Sequence, residues 1–355
     1  MGRDKVYIIS NESIFEDATN SFCDNLDMKS IPEGLSKYFD VNIIARKSKL
    51  KRFHSLNKMN IKTAGNIIVF LKLVLDSLKD KKKSKYLIIS VTPFTFFAVI
   101  FLFTFKIKPM VYLRSDGYEE YKTIFGQTGK LIYHIMFSIT AKISNLISCR
   151  KHILKKYDGK IVSPSQLKEE WFKNHKDTNK EKIKILYVGR IRIEKGIFSL
   201  IEISKKIKQD VQLTVISSKK DHDKIQNQKN IICLDTQSER SLIDEYDKCN
   251  IFILPSFTEG HPQVLDEALS RFRPVIVFKD IEHVKRDRKG VFVCNRNSEE
   301  LSKTIDFIID NYDDIQSEIK KNNLPDRKSF LSELKNLINL SNNKERWPSG
   351  APKQN

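Results

Sequence analysis

Hydrophobic positions in the first half of the chain form short apolar runs that alternate with segments of helical periodicity. Strands are predicted at residues 6–10, 41–45, 87–91 and 110–113, and helices at residues 28–38, 64–79, 94–105 and 129–147. The apolar runs lack polar alternation, which is typical of strands buried on both faces of a parallel sheet. The first half is therefore predicted to be an α/β domain.

A second alternation of strands and helices starts at residue 183. Its strands are predicted at residues 184–188, 212–217, 230–234, 251–254, 275–278 and 291–294, and its helices at 197–208, 239–248, 263–271 and 298–311. This pattern predicts a second doubly wound parallel sheet, so that two Rossmann-like domains face a central cleft. The predicted boundaries are an N-terminal domain 1–163, a linker 164–182, a C-terminal domain 183–325, a last helix 326–345 and a flexible tail 346–355.

One stretch of twenty residues, 86–105, carries no charge and is long enough to cross a bilayer. Thr92 and Pro93 interrupt it, and they favour a buried strand that turns into a short apolar helix. We therefore predict a strand–turn–helix unit in the core rather than a membrane span. A third possibility stays open, in which this stretch and the basic residues before it lie on an anionic membrane surface.

The charge of the chain is strongly positive and unevenly distributed. Sixty-three Lys and Arg residues stand against 44 Asp and Glu, a net charge of +19, and residues 46–85 carry thirteen of these cations and only two acids. Such an excess favours anionic partners, and a non-enzymatic protein that binds nucleic acid is one alternative. The basic run lacks interleaved aromatic residues, and no helix-turn-helix or zinc pattern is present, so no nucleic acid partner is expected.

Cysteine usage and the first residues indicate the compartment. The five cysteines do not fall at metal-ligand spacing: Cys23, Cys149, Cys233, Cys249 and Cys294. Free thiols, with neither a disulfide framework nor a zinc site, fit a reducing cytosol. Residues 1–10 predict a charged lead-in to a strand rather than a signal peptide. A cytoplasmic protein is therefore expected.

The first motif with chemical character is GRIRIEKG, residues 189–196, between a predicted strand and a predicted helix. Gly189 permits a tight exit from the strand. Arg190 and Lys195 are expected at the carboxyl end of the sheet, where open α/β folds bind ligands. An arginine fork and a mobile lysine charge together neutralise a diphosphate. The alternative is a loop whose cations are merely solvated.

The second motif, PSFTEGHPQVLDEA, spans residues 255–268 and joins a buried strand to a helix. Pro262 suits the first position of that helix. Gln263 and Val264 follow, and their main-chain amides at the positive end of the helix are suited to an anion or to sugar oxygens. The motif therefore predicts a second part of the same ligand site.

The same motif contains two carboxylates. Glu259 lies in the loop beside Gly260 and His261, which are expected to approach the ligand, and Glu267 lies in the second helical turn. A carboxylate that accepts two vicinal hydroxyls is how α/β folds hold a ribose. The alternative is an acid that caps the helix and an ordinary helical glutamate.

The two motifs in this order resemble the family-4 retaining glycosyltransferases, which have the GT-B fold. The likeness rests on the pattern GR-x4-KG, on the seven residues between Glu259 and Glu267, and on the strand–loop–helix context, and it covers residues 183 to about 324. By this resemblance, Arg190 and Lys195 bind the donor diphosphate. Glu259 faces the hydroxyls of the donor sugar, and Glu267 faces those of the ribose. The resemblance also implies retention of anomeric configuration and no need for a metal or another cofactor.

The N-terminal half departs from the pattern of that family. Many members have a Gly-rich loop after the first strand, but residues 11–25 contain no glycine. The predicted strand 110–113 ends instead in Arg114, Ser, Asp116 and Gly117. Arg114 is predicted to meet an anionic acceptor or the leaving phosphate, and Asp116 a hydroxyl. A salt-bridged turn closed by Gly117 explains these residues equally well.

Taken together, the sequence predicts a glycosyltransferase that moves a sugar from a UDP- or GDP-sugar to a saccharide or lipid-linked acceptor, in the synthesis of a bacterial surface polysaccharide. Arg190 and Lys195 would stabilise the leaving diphosphate in a front-face transfer. A nucleotide-sugar epimerase or hydrolase of the same architecture is the alternative. The basic run 46–85 is predicted to hold the protein on the cytoplasmic face of the inner membrane, unless it is simply a solvated surface.

Overall fold

The computed structural model describes residues 3–52, 54–56, 59–79, 84–178, 182–225, 230–235 and 238–340. These residues form two compact α/β units. Unit 1 combines the described residues up to Pro164 with those from Arg327 onward, and unit 2 is Ser165–Asp326. The predicted tail 346–355 and residues 341–345 of the predicted last helix lie outside the described residues.

Unit 1 is built on one sheet, to which its described residues contribute nine strands. They are β1 Lys5–Glu16, β2 Ser21–Cys23, β3 Asp40–Lys47, β4 His54–Leu56, β5 Asn60–Ala64, β6 Ser84–Ile89, β7 Met110–Leu113, β8 Asn145–Ser148 and β9 Gly159–Ile161. The parallel strands run in the order β5-β3-β1-β6-β7-β8-β9. β2 and β4 add an antiparallel extension at the carboxyl end of β1.

Helices cover both faces of this sheet. In unit 1 they are α1 Leu26–Leu35, α2 Ile67–Ser77, α3 Pro93–Thr104, α4 Gly117–Ile143 and, after the chain returns from unit 2, α10 Arg327–Leu340. Ile88 packs in the core beneath α2, α3 and α4, whereas its neighbours Leu87 and Ile89 pack beneath α1 and α10. The strands are thus buried on both sides, which is why their sequences read as unbroken apolar runs.

Unit 2 contains a sheet of six strands in its described residues, all parallel, in the order β12-β11-β10-β13-β14-β15. These strands are β10 Ile183–Val188, β11 Val211–Ser217, β12 Ile231–Asp235, β13 Ile251–Leu254, β14 Val275–Phe278 and β15 Val291–Cys294. Its helices are α5 Ile197–Ser204, α6 Glu239–Lys248, α7 Gln263–Ser270, α8 Ser298–Asp310 and α9 Tyr312–Ile319. The predicted doubly wound α/β architecture is therefore confirmed for both halves of the chain.

Unit 2 begins well before its first strand. The stretch 164–182 reads as a polar linker in the sequence, but Trp171 within it is buried in the core of unit 2. The buried Arg271 donates to the main-chain oxygens of Trp171 (3.0 Å) and Lys173 (2.7 Å), and it holds the Asp247 carboxylate with two bonds of 2.8 Å. The stretch packs because an arginine distant in sequence satisfies its carbonyl groups.

The helix predicted at residues 129–147 has different limits. α4 begins at Gly117, where Asp116 accepts a hydrogen bond from the amide of Tyr118 and caps the helix. Its backbone is non-helical at Gly126 (φ 65°), and the predicted start lies close behind this break. α4 ends at Ile143, and the extended backbone of Ser144 leads into β8, which starts at Asn145. The error arose because the apolar positions at the end of α4 run directly into the apolar residues of β8.

The uncharged stretch 86–105 forms the predicted strand–turn–helix unit, β6 followed by α3. Thr92 caps α3, since its amide donates to Thr95 Oγ1 at 2.8 Å, and Pro93 takes the first helical position. Among the described residues, no helix is long and apolar enough to cross a membrane. α3 is only partly buried, however, because Phe97 and Phe103 are about half exposed.

Candidate functional site

The candidate site lies at the carboxyl edge of the unit 2 sheet. There β10 pairs with β11 on one side and with β13 on the other, so the strand order reverses its direction between β10 and β13. In open α/β sheets, ligands bind outside the carboxyl ends of the strands at such a switch point. The loops that leave β10 and β13 carry the two motifs found in the sequence.

A cavity of about 310 Å³ opens between these two loops. Ten residues line it: Tyr187, Val188, Gly189, Arg190, Lys195, Leu254, Glu259, His261, Gln263 and Val264. The fold thus brings together seven of the residues predicted for the donor site. Gly260 and Glu267, which were also predicted there, do not line this cavity.

An ion pair joins the two loops at the cavity wall. Lys195 Nζ donates to Glu259 Oε1 at 2.6 Å, and Ser256 Oγ donates to the same oxygen at 2.7 Å. The side chains of Lys195 and Glu259 are 23% and 11% exposed, so water screens the pair only partly. A lysine ammonium has three N–H donors, which leaves Lys195 able to bind an anion while Glu259 holds it.

Main-chain packing fixes the spacing of the loops. The amide of Phe257 donates to the carbonyl oxygen of Glu194 at 3.0 Å. Gly196 adopts a left-handed φ of +68°, and a Cβ placed there would lie 1.9 Å from the carbonyl oxygen of Pro255. Only glycine combines that φ with that closeness. Gly196 is therefore needed for the contact between the two loops.

The exit from β10 is held by a buried tyrosine. Tyr187 Oη donates to the carbonyl oxygen of Arg190 at 2.8 Å, and a Cβ on Gly189 would lie 2.7 Å from that hydroxyl. Burial, together with the nearby Glu259 carboxylate, raises the pKa of Tyr187, which keeps it a neutral donor. Arg190 itself is exposed and lines the cavity.

Helix α7 directs its positive end at the cavity. Pro262 is its N-cap, and Gln263 and Val264, the first helical residues, line the cavity. Asp266 in the first turn is fully buried and takes two bonds from Arg288, at 2.7 and 2.9 Å. This bidentate pair anchors the helix terminus on its inner side.

His261 lines the cavity between two charged groups. Its Nδ1 lies 3.2 Å from a guanidinium nitrogen of Arg286, and its Nε2 lies 3.7 Å from the Asp266 carboxylate. The neighbouring Glu259 has its main-chain oxygen 2.9 Å from His283 Nε2. Histidines therefore support the loop after β13 on two sides.

Glu267 occupies a separate position on α7. Tyr246 Oη donates to Glu267 Oε2 at 2.9 Å and lies 3.3 Å from the carbonyl oxygen of Val264. Burial raises the pKa of Glu267 to about 7, and the neighbouring acids Glu239 and Asp266 add to the rise. An acid that titrates near neutrality is common at functional sites.

Arg296, which follows β15, is a further residue of the site that was not predicted from the sequence. Its guanidinium lies 4.0 Å above the ring of Phe257 and 4.4 Å from that of Phe278, and it donates to Asp280 at 2.8 Å. It also donates to the main-chain oxygen of Ser256 at 3.2 Å. Arg296 therefore positions the turn that carries Glu259. No sequence signal reveals it, because its partners follow or end two other strands, β13 and β14.

Tyr187, Tyr246 and Ser256 were missed for a related reason. Tyr187 lies in the apolar strand β10 and Tyr246 in helix α6, and in such segments a tyrosine predicts core packing. Their polar contacts appear only after the fold brings the motifs beside them. Of these three residues, Ser256 alone lies within a motif, three positions before Glu259, and this closeness in sequence could have indicated a contact between them.

Arg114 and Asp116, predicted to meet an acceptor, lie in unit 1 and have protein partners. Arg114 pairs with Asp27 at 3.1 Å. Asp116 caps α4 and pairs with Lys155 at 2.8 Å. These contacts correspond to the salt-bridged turn that the sequence left as the alternative. Among the described residues, no three His, Cys, Asp or Glu side chains are grouped so that they could hold a metal ion.

Comparison with known proteins assigns the part of the chain that carries the cavity. Residues 168–324 match the family model described as glycosyl transferases group 1. Unit 2 belongs to the glycosyl transferases group 1. A curated Haemophilus influenzae protein described as an uncharacterized glycosyltransferase is 28% identical over 141 residues, which are 36% of this chain. The chain spans about two fifths of that relative, 39% of its length.

Solved structures match both units. Sucrose-phosphate synthase from Thermosynechococcus elongatus has a TM-score of 0.67 at 13% identity, over 95% of this chain and 98% of that one. WaaG, a glycosyltransferase of lipopolysaccharide biosynthesis, has a TM-score of 0.62 at 13% identity, over 94% and 99%. Anabaena HepE in complex with UDP has a TM-score of 0.66 at 11% identity, over 94% and 99%. The predicted GT-B fold is therefore confirmed.

Proposed function

We propose that this protein transfers a sugar from a nucleotide-diphosphate sugar to a saccharide or lipid-linked acceptor, with retention of configuration and without a metal ion. The single observation that carries the proposal is the cavity at the β10–β13 switch point of a group 1 domain. Its wall presents Arg190, Lys195 and the positive end of α7, which together suit a diphosphate.

In this proposal the cations stabilise the leaving nucleoside diphosphate. Negative charge grows on the leaving oxygen as the glycosidic bond breaks, and preorganised charges that meet it lower the barrier. Lys195 is already positioned by its 2.6 Å bond to Glu259, and Tyr187 holds the backbone of Arg190. Little reorganisation is then needed when the substrate reacts.

The two carboxylates take the hydroxyl groups of the donor. Glu259 lines the cavity and accepts hydroxyls of the donor sugar, with His261, Gly260 and the amides of Gln263 and Val264 around it. Glu267, one helical turn deeper on α7, accepts the two ribose hydroxyls. Arg114 and Asp116 in unit 1 are proposed to contribute to acceptor binding.

We favour a UDP-sugar as donor and a surface polysaccharide or lipopolysaccharide precursor as acceptor. HepE, which shares the fold, is in complex with UDP, and WaaG is involved in lipopolysaccharide biosynthesis. A precursor of this kind is often lipid-linked, so we propose a cytoplasmic protein that contacts the anionic inner membrane surface. The lysine-rich run 46–85 is the sequence feature that supports this contact.

A thermal-shift screen with UDP-, GDP-, ADP- and CMP-sugars tests donor binding, because a ligand that binds only the folded state raises the melting temperature. We expect UDP-sugars to raise it most. Lys195→Ala and Glu267→Ala are expected to fold normally and to lose turnover. Transfer at the wild-type rate by either variant would overturn the assignment.

Two other outcomes would also overturn it. Release of an altered free nucleotide sugar in the absence of any acceptor would indicate an epimerase or hydrolase. Tight RNA or DNA binding that weakens steeply with salt would indicate a nucleic-acid-binding protein.

A further inference from the structure

Unit 1 exposes a large set of apolar side chains on three neighbouring helices. In the described residues, they lie on α2, on α3 with its C-cap, and on α4: Ile68, Val69, Leu75, Phe97, Phe103, Phe105, Ile124, Phe125, Leu131, Ile132, Ile135 and Ile139. Their exposed fractions run from 38% at Phe105 to 77% at Ile68. We call this surface the α2–α4 face. Apolar surface of such extent marks an interaction site rather than an ordinary protein surface.

These side chains point away from the core. α2 packs beside α3 and α3 beside α4, and all three cover one side of the unit 1 sheet. In α4, Tyr133, Met136 and Phe137 are buried against that sheet. Leu131 and Ile135 are four residues apart and therefore share the opposite, outward side of the helix. α4 thus has two apolar sides, of which packing inside the protein uses only one.

The α2–α4 face is also cationic. Seven exposed lysines lie on these helices or directly after them: Lys72, Lys79, Lys106, Lys108, Lys122, Lys130 and Lys142. The described acids there are Asp76, Glu119 and Glu120, and two of them pair with lysines of the same helix. A helix layer with outward leucine, isoleucine and phenylalanine among lysines has the chemistry of a helix that lies in a membrane interface.

We propose that the α2–α4 face binds the surface of an anionic lipid bilayer. The apolar side chains enter the boundary between headgroups and acyl chains, and the lysines contact acidic headgroups. A second copy of this chain is a poorer occupant, because a self-association interface would bring the two sets of lysines together, and lysines are depleted from such interfaces. This inference rests on the proposed membrane contact and names the surface that makes it.

Two cations of the basic run 46–85 are held by contacts within unit 1. Lys85 is 5% exposed and pairs with Asp4 at 2.9 Å. The guanidinium of Arg46 lies 5.0 Å above the ring of Phe94. These two cations are occupied within unit 1, whereas Lys72 and Lys79 of the same run belong to the α2–α4 face.

Vesicle flotation tests the proposal. The purified protein is mixed with phosphatidylcholine vesicles with and without phosphatidylglycerol, and binding is compared with that of Ile132→Ser combined with Ile135→Ser. The matched control is Phe307→Ser, a 53% exposed phenylalanine on α8 of unit 2. We expect the wild type and the control to float only with phosphatidylglycerol. The isoleucine variant should bind about tenfold more weakly or worse, since two apolar side chains that would enter the bilayer are lost.

A second pair of variants tests the charge. Lys130→Glu combined with Lys142→Glu is expected to reduce flotation on phosphatidylglycerol and to make it less sensitive to salt. Lys206→Glu combined with Lys208→Glu, exposed positions of unit 2, should leave flotation unchanged. Thermal shift with UDP is measured on every variant, so that loss of flotation is separated from loss of the donor site.

The outcomes are distinguishable. If the wild type does not float on anionic vesicles, both the face and the membrane contact of the proposed function are wrong. If the wild type floats and the isoleucine variant floats equally, the membrane contact stands and this surface is wrong. If the wild type is a dimer in solution and the isoleucine variant is a monomer that floats normally, the face is an interface between copies instead. Failure of the wild type to bind UDP would contradict the proposed function alone.

Discussion

At the residue scale, Glu267 is a carboxylate that is difficult to ionise, chiefly because it is buried. Its pKa is raised to about 7, and the opposing contribution is the hydrogen bond from Tyr246, which lowers it. The sequence placed Glu267 in the second turn of a helix, but its protonation near neutral pH depends on Tyr246 and on the acids Glu239 and Asp266. The direction of this shift determines how both donor binding and stability should respond to pH.

Binding of a UDP-sugar is expected to weaken as the pH falls through about 7, by at most about tenfold per pH unit. The ionised carboxylate accepts two ribose hydroxyls, whereas the protonated one has less capacity to accept. Calorimetric titration with a UDP-sugar, whose diphosphate does not titrate in this range, measures the effect. Glu267→Gln should bind weakly at every pH, and an unchanged pH profile in that variant would assign the titration to another group.

The same shift predicts a change in stability. Because the pKa of Glu267 in the folded protein lies above its ordinary value of 4.5, the ionised group opposes folding above pH 7, and this cost disappears as the pH falls towards 4.5. Glu267→Gln is therefore expected to melt higher than the wild type at about pH 8 and nearly equally at about pH 5. Tyr246→Phe removes the bond that lowers the pKa, so the loss of stability with rising pH should continue to a higher pH and become larger. If the stability of Tyr246→Phe depends on pH in the same way as that of the wild type, Tyr246 does not act through Glu267.

At the element scale, the donor site depends on how two loops after parallel strands fit against each other. The glycines of the first motif act through this fit rather than through flexibility. At Gly196 a side chain would meet the main chain of Pro255, whereas at Gly65, before α2, it would meet nothing within 4 Å. The chain thus supplies a matched pair of positions for the same substitution.

Gly196→Ala is expected to destabilise unit 2 by roughly 1–3 kcal/mol from the left-handed backbone alone, and to reduce transfer strongly by moving Lys195 away from Glu259. Gly65→Ala should change the melting temperature and the activity very little. Thermal melts and steady-state transfer rates of both variants check this. Wild-type stability and rate in Gly196→Ala would mean that the loops tolerate separation.

At the scale of the whole molecule, unit 2 incorporates the segment that leads into it. Arg271, 1% exposed, joins Asp247 to the carbonyl groups of Trp171 and Lys173. A buried charge that loses its partner is costly, whereas an exposed pair contributes little. The attachment of the segment therefore depends on one arginine more than on the polar residues of the segment itself.

Arg271→Ala is expected to lower the free energy of unfolding of unit 2 by roughly 3–5 kcal/mol, because Asp247 is left buried without its bidentate partner. Lys303→Ala, which breaks an exposed pair with Glu299, should cost less than about 1 kcal/mol. Urea unfolding followed by the fluorescence of Trp171, in a background that lacks Trp347, makes the comparison. Equal effects of the two substitutions would contradict the role of Arg271.

The sequence by itself determined the two α/β halves and the position of the donor motifs. Apolar runs and helical segments have different periods, and the carboxyl ends of parallel strands meet at one edge, so the sequence alone places Arg190, Lys195 and Glu259 together. These are short-range signals, because each motif contains its own strand end, turn glycine and helix start.

Only the tertiary structure decided which distant side chains complete that arrangement and which surfaces stay exposed. Tyr246 contacts Glu267, Arg296 contacts Ser256, and Arg271 binds the segment before β10, each through contacts between residues far apart in sequence. The apolar residues of α2, α3 and α4 indicated burial in the sequence, yet part of each pattern faces outward. Periodicity reports that a side chain is apolar, whereas the layer packed against it decides whether that side chain meets a protein core or an external surface.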